Sequence, residues 1–352
     1  MTKFILSLVV LVFMLLILFK PIYVCFYPFL KGKKHKFALS FLIGALILIS
    51  SFLIGDIAFG FFIHFVVIFY IIDFITSVIN LPFRRNYNIK SKRWFTLLLN
   101  ILLVSASVIF TAYGYVNFND IKTTTYNLNY EGKTYPSSKI MFVSDIHISS
   151  DKKEHVAYAI SKTYKKENPD VCIIGGDLID NSSRLDDINY IIDVFSKISL
   201  DTPVLYVHGN HDIMANEEVS TKELEEKLNK KGIKVLKDEN VEISDINYIV
   251  VFKESEKIKP LMENGLNVVI NHKPEDLKLL DKYSVNLLLS GHTHAGQFFP
   301  VGYICDLFKI NELQYGLKDF GDFKAIVSSG ISTWGVNVKS QGKNEIVIIN
   351  VN

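Results

Sequence analysis

Cysteine is scarce in this chain of 352 residues: Cys25, Cys172 and Cys305 are the only three, and no two are spaced as CxxC. That excludes a disulfide framework and leaves the compartment open. Acidic residues are nearly missing from the first third. Residues 1–118 hold eleven Lys and Arg but only Asp56 and Asp73, a balance of +9, against 27 basic and 34 acidic residues in the remainder, −7. The overall charge of +2 therefore hides two unlike halves. The acidic half lacks any long basic stripe, which argues against nucleic acid as a partner. An internal repeat and a low-complexity linker are absent too.

What is abundant is apolar. Hydrophobic residues make up 49% of the chain and mean hydropathy is +0.25, with the excess concentrated before residue 118. Four runs, at 4–30, 37–55, 57–81 and 95–117, each reach or nearly reach the ~20 residues that cross a bilayer core as a helix. They lack the polar face that a helix on a soluble core would show. Lys20-Pro21 interrupts the first run, as a kink or as the end of the span. A cleaved signal peptide over 1–19 is disfavoured, because no small-residue cleavage site follows and three more runs do. The loop 31–36 (KGKKHK) and the loop carrying Arg84, Arg85, Lys92 and Arg93 are basic, whereas the turn at Gly55-Asp56 has no Lys or Arg. Positive loops stay cytoplasmic. The expectation is a multi-pass integral membrane protein, with a transmembrane region at 1–118 and a C-terminal domain at 119–352 on the extracytoplasmic side. His64 and Asp73 fall inside the third run, where an interhelical hydrogen bond, or a position near the interface for Asp73, is the simplest account.

From residue 139 short apolar runs alternate with amphipathic charged ones. Strands are expected at 140–143, 171–174, 204–207, 233–236, 248–252, 268–270, 285–289, 325–327 and 346–351, and helices at about 153–167, 184–197, 217–231 and 274–281. Residues 118–138 read as a polar connection with a leading strand. Such alternation implies an α/β layered fold.

Five polar motifs each follow an apolar run. They are Asp145-Ile146-His147, Gly175-Gly176-Asp177, Gly209-Asn210-His211-Asp212, Asn271-His272 and Gly291-His292-Thr293-His294. Strand ends in α/β sheets converge on one rim, where sites form. Taken singly the motifs say little: DxH is common, Gly-Asp is ordinarily a turn, and a lone histidine such as His272 is more often a surface or capping residue. The ordered set at strand ends is the signal. Carboxylate, amide and imidazole donors together suit Mn, Fe or Zn better than an all-oxygen calcium site. Asp145, His147, Asp177, Asn210, His272, His292 and His294 are too many donors for one tetrahedral ion and fit two ions sharing a carboxylate.

This set resembles the calcineurin-like metallophosphoesterase superfamily over about residues 138–352. The similarity is strongest to a bacterial membrane-associated branch with GHTHxGQ (Gly291 to Gln297 here) and a late Ser328-Ser329-Gly330-Ile331-Ser332-Thr333-Trp334-Gly335 segment. The resemblance implies a β-sandwich flanked by helices. It implies one metal held by Asp145, His147, Asp177 and His294, and a second held by Asp177, Asn210, His272 and His292. His211 would contact phosphate and protonate the leaving group, with Asp212 orienting it. Ala295 departs from the glycine usual after GHTH, and residues 336–344 are more polar than the usual segment after Trp-Gly, a stretch that bears on specificity. The implied reaction is hydrolysis of phosphomono- or diesters by a metal-activated hydroxide. A membrane-tethered site would meet phospholipids, lipid-linked sugar phosphates and envelope polymers. Two other readings compete: a non-catalytic scaffold, which should have lost ligands, and a regulatory domain on a membrane transporter or sensor, supported only by His64 and Asp73.

Overall fold

The computed structural model describes residues 17, 19–24, 39–40, 42–45, 55–80, 93–213, 216–237, 240–243, 246–250, 265–275, 277–282 and 285–352. Most of the first two expected spans and the basic loops lie outside these residues. The chain divides into two compact units: the described residues up to Val116 together with Val336–Ser340, and Asn117–Gly335 together with Gln341–Asn352.

The first unit contains helices α1 (Asp56–Asn80) and α2 (Arg93–Phe118). Their segments Asp56–Ile75 and Leu97–Phe118, 20 and 22 residues, are long and apolar enough to be candidate membrane spans, and they coincide with the third and fourth expected runs. Phe62 packs with Ile22, and Phe69 with Leu103. The polar side chains inside these helices are partnered. His64 places Nδ1 2.7 Å from the Gly60 carbonyl and Nε2 2.6 Å from the Ser340 hydroxyl. Asp73 accepts from Lys20 Nζ at 2.9 Å, and Asp56 accepts from the Asn337 N–H at 3.2 Å. Each of these groups thus has a hydrogen-bond partner within the first unit.

The second unit is built on two six-stranded mixed sheets. One holds β1 (Lys122–Leu128), β2 (Ser138–Val143), β3 (Val171–Gly175), β4 (Val204–Val207), β5 (Ile233–Val235) and β12 (Glu345–Val351) in the order β1-β12-β2-β3-β4-β5. The other holds β6 (Asn240–Ile243), β7 (Ile246–Val250), β8 (Leu266–Ile270), β9 (Leu287–Ser290), β10 (Gly316–Asp319) and β11 (Lys324–Val327) in the order β10-β11-β9-β8-β7-β6. β2 to β5 pair in parallel, as do β7, β8, β9 and β11, while antiparallel pairs join β12 to β2, β6 to β7 and β10 to β11.

Strand periodicity of two distributes the apolar side chains. Ile140, Phe142, Ile173 and Ile349 of the first sheet share a buried cluster with Val268, Ile270, Leu287 and Leu289 of the second, so the inner faces pack on one another. The alternate residues Met141, Val143, Cys172 and Ile348 face helices α3 (Lys153–Glu167), α4 (Leu185–Ile198) and α6 (Thr221–Lys230) through Ile160, Phe195 and Leu224. A four-residue turn of helix, α5 (Asn210–Ile213), follows β4. α7 (Leu277–Lys282) covers the far face of the second sheet with Leu277 and Leu280 against Val269 and Leu288, and α8 (Val301–Phe308) lies beyond β9. α6 starts with a reciprocal cap, Ser220 Oγ accepting from Glu223 N and Glu223 accepting from Ser220 N. Sequence periodicity missed β6, β10, α5 and α8.

Candidate metal centre

The parallel strands β2, β3, β4, β8 and β9 all end at one rim, and the five polar motifs occupy that rim. The loops are stitched to each other by backbone bonds. Asp145 N–H donates to the Gly176 carbonyl (3.0 Å), His147 N–H to the Asp177 carbonyl (3.0 Å) and Gly291 N–H to the His272 carbonyl (3.0 Å). Gly209 and Gly291 are required by close approach: a Cβ on either would fall on the carboxylate of Asp177 or Asp145 respectively.

Two groups of donors result. In the first, ligand atoms of Asp145, His147 and His294 lie within 4.8 Å of one another, and in the second so do those of Asp177, His272 and His292. Asp177 stands between them, its Oδ2 3.6 Å from His147 Nε2 and 3.0 Å from His272 Nε2. Asn210 begins α5, next to His211, whose N–H donates to Asp177 Oδ1 at 2.8 Å. Six of the seven donors expected from sequence fall in these two groups, and Asn210 stands at the start of α5.

Their state is what a cation site demands. Asp145 Oδ2, His147 Nε2 and Asn210 Oδ1 are buried with no hydrogen-bond partner. Leaving such groups unmet costs about 1–3 kcal/mol apiece, and these lone pairs are the ones a metal would fill. His272 donates from Nδ1 to the Gly175 carbonyl at 2.8 Å, which leaves Nε2 turned to the site. Burial would raise the Asp145 carboxyl, but the charges of His294, His272 and His147 outweigh it and hold the group below its usual range. For Asp177 burial is likewise overcome, chiefly by His272. Burial lowers His272, yet the Asp177 and Asp145 carboxylates push it up to about 9. Burial and the neighbouring His272 charge bring His292 down to about 4. Positive charge is drawn to the carboxylates, and the two donor groups are consistent with a dinuclear divalent metal centre of unspecified metal.

Five of the seven donors, Asp145, His147, Asp177, His292 and His294, have positive φ, from 42° to 71°. Non-glycine residues rarely adopt this region, and it clusters at functional sites where neighbouring structure enforces it. Ala295, at φ 52°, carries the same conformation without the glycine that would relieve it.

His211 lies at the edge of the donor groups. Its ring meets His147 edge-on at 5.1 Å between centroids, and Trp334 covers it at 5.5 Å. Burial lowers its pKa, only partly opposed by Asp177. Asp212 accepts from the N–H groups of Asp177 (2.7 Å), Gly209 (2.8 Å) and Ile179 (3.0 Å). These bonds orient the backbone beneath the site, where the sequence reading had Asp212 orienting the His211 ring. Burial and the Asp177 charge raise its carboxyl to about 6.

Three further residues take part without having been assigned a role from the sequence. Asp180 places Oδ2 3.3 Å from His147 Nδ1, an ion-pair contact that favours Nε2 as the nitrogen facing the metal site. Its place three residues after Asp177 was the available signal. Trp334 and Gln297 were noted as part of motifs without a role. Gln297 bonds both backbone groups of Trp334, donating to its carbonyl (3.1 Å) and accepting from its N–H (3.2 Å), and so holds the ring over His211.

Residues 138–296 match the family model described as calcineurin-like phosphoesterase. An uncharacterized metallophosphoesterase of Aquifex aeolicus is 29% identical over 228 residues, 60% of this chain and 84% of that protein. One from Campylobacter jejuni is 27% identical over 297 residues, 79% of this chain and 76% of that protein. The crystal structure of TT1561 of Thermus thermophilus is 12% identical, covers 54% of this chain and 88% of its own, and superposes with a TM-score of 0.38.

Proposed function

For a chain that carries a calcineurin-like metallophosphoesterase domain and is a metal-dependent hydrolase, we propose a membrane-anchored phosphoesterase acting on phosphomono- or diesters with two divalent cations. Its catalytic domain, 119–352, lies on the extracytoplasmic side, and its substrates are phospholipids, lipid-linked phosphates or envelope polymers. The observation that carries the chemistry is the pair of donor groups meeting at Asp177, with orphaned lone pairs on Asp145, His147 and Asn210. The observations behind anchoring are the two candidate spans and the basic loop between them in sequence.

In this reading Asp145, His147, Asp177 and His294 hold one cation, and Asp177, Asn210, His272 and His292 hold the other. Two bound cations supply a water of lowered pKa and neutralise the phosphoryl charge. The protein's own residues do the rest. Asp180 and the Gly175 carbonyl fix the tautomers of His147 and His272. Asp212 fixes the backbone that presents Asp177 and Gly209. His211, half-buried beside the donor groups, gives a proton to the leaving oxygen. Burial disfavours its protonated form, so the proton is readily surrendered, and the negative charge of a bound phosphoester restores protonation before the step. Trp334 covers one side of the imidazole and narrows its exposure to water.

The test is hydrolysis of bis-p-nitrophenyl phosphate and p-nitrophenyl phosphate by the full-length chain in detergent, with Mn²⁺ or excess chelator. Mn²⁺-dependent turnover, abolished in Asp177→Ala, is the expected result, and the preferred ester assigns diesterase or monoesterase action. A folded, metal-loaded protein inert to both esters would contradict a broad phosphoesterase.

A further inference from the structure

Large apolar side chains exposed on the second unit are mostly scattered, as on any soluble surface. One stretch is different. In α8 and the residue pair after it, Tyr303 (63% exposed), Leu307 (76%), Phe308 (71%) and Ile310 (64%) all face outward, with Ile304 beside them. The opposite side of the helix is fixed. Gly302 is buried, its N–H donates to Gln341 Oε1 at 3.0 Å, and a Cβ there would fall on the Ala295 carbonyl. The helix is thus pinned through its first turn against the His294–Gly296 turn, only seven residues after a metal-site histidine, and it turns its apolar face away.

We propose that α8 is a membrane-docking wedge whose occupant is the lipid surface of the bilayer that α2 crosses. The proposal rests on reading α2 as a membrane span. Two observations select lipid over a protein partner. First, α2 ends at Phe118 and β1 starts at Lys122, so the joining residues reach about 14 Å at full extension. The second unit is therefore tethered within that reach of the end of α2, close enough for a face of it to meet lipid. Second, the side-chain chemistry fits that depth. Tyr303 and Phe308 are rings of the type that settle at the interface, Leu307, Ile304 and Ile310 are aliphatic, and exposed Lys309 can reach up to anionic headgroups from between Phe308 and Ile310. The consequence is functional. A wedge joined directly to the GHTH turn holds the rim of the metal site at headgroup depth, where a lipid phosphoester presents itself.

The experiment uses the full-length chain in phosphatidylglycerol-containing vesicles made with or without lipids brominated near the headgroup end of the acyl chain. Three variants are compared with the parent chain, whose Trp94 and Trp334 give the common background: Phe308→Trp, Leu200→Trp (81% exposed, outside α8) and Val104→Trp (44% exposed, within α2). Leu307→Trp replaces Phe308→Trp if the latter loses Mn²⁺-dependent turnover of the soluble ester. The proposal requires that bromine quench the added emission of Phe308→Trp at least threefold more than that of Leu200→Trp. Equal quenching of these two, with Val104→Trp quenched, overturns the wedge and leaves the span standing. No quenching at Val104 overturns the membrane reading and the wedge with it.

Discussion

His64 in the helical unit and His147 in the sandwich are both fully buried imidazoles. The first has a partner at each nitrogen, the Gly60 carbonyl and the Ser340 hydroxyl. The second has a hydrogen bond at neither nitrogen, Nδ1 lying 3.3 Å from Asp180 Oδ2 and Nε2 facing the site. The carboxylates differ in the same way. Asp73 meets Lys20, whereas Asp145 Oδ2 is buried and unbonded. Burial alone thus does not mark a site. A buried polar group that its neighbours satisfy is part of the scaffold, and one whose lone pair is kept buried and unmet is shaped for something the chain does not itself provide.

Substitutions should separate the two regions sharply. Asp177→Ala removes the carboxylate between both donor groups, and turnover should fall by at least about 10³-fold, more than the ~10–100-fold expected from losing a residue that only orients a ligand. Steady-state rates together with bound metal, measured by elemental analysis, check this. His211→Ala should lower kcat by about 10²–10⁴-fold while leaving metal content intact, because its ring is not among the donors. A matching loss of metal would move His211 into the ligand set. Asp180→Ala should weaken metal affinity by about 10–100-fold, read by competition with a chelating dye, with activity restored at saturating Mn²⁺.

On the helical side, His64→Ala should destabilise that unit by about 1–3 kcal/mol through loss of the buried bonds its ring makes to Ser340 and Gly60. Its kcat on the soluble ester and its metal content should stay within about twofold of the parent. The smallest effect belongs to Ala295→Gly. Relief of the left-handed backbone, worth about 1–2 kcal/mol, is opposed by the greater freedom glycine gives the unfolded chain, about 0.4–1 kcal/mol. The unfolding free energy should therefore change by no more than about 1.6 kcal/mol.

The sandwich was legible where apolar runs are uninterrupted. β3 and β4, buried along their whole length, follow the expected 171–174 and 204–207 closely. α3 follows 153–167 because its buried positions Val156, Ala157, Ile160 and Thr163 repeat with helical spacing. α8 was not legible. Its sequence, VGYICDLF, is apolar nearly all round, so periodicity cannot separate a short exposed helix from a buried strand. β10 (GLKD) is largely exposed and exists through its pairing with β11, a tertiary cause that no local pattern records. In the site, the identities of the donors could be read because the motifs carry unusual residues beside glycines. Their left-handed backbone could not, since Asp and His ordinarily avoid it and only the stitched loops impose it. The backbone bonds of Asp212 were not legible either. Adjacency to His211 in sequence suggested a side-chain pair, but the turn of α5 directs the carboxylate back to three backbone amides.

The unmet lone pairs at the sandwich rim are arranged for two cations, and the number of ions bound decides whether they hold them. The full-length chain, stripped with chelator and titrated with Mn²⁺ under equilibrium dialysis, should take up two ions per chain, with turnover rising as the sites fill, and Asp177→Ala should retain fewer. Uptake of one ion or none by a folded chain, or two ions retained undiminished without Asp177, would contradict the account.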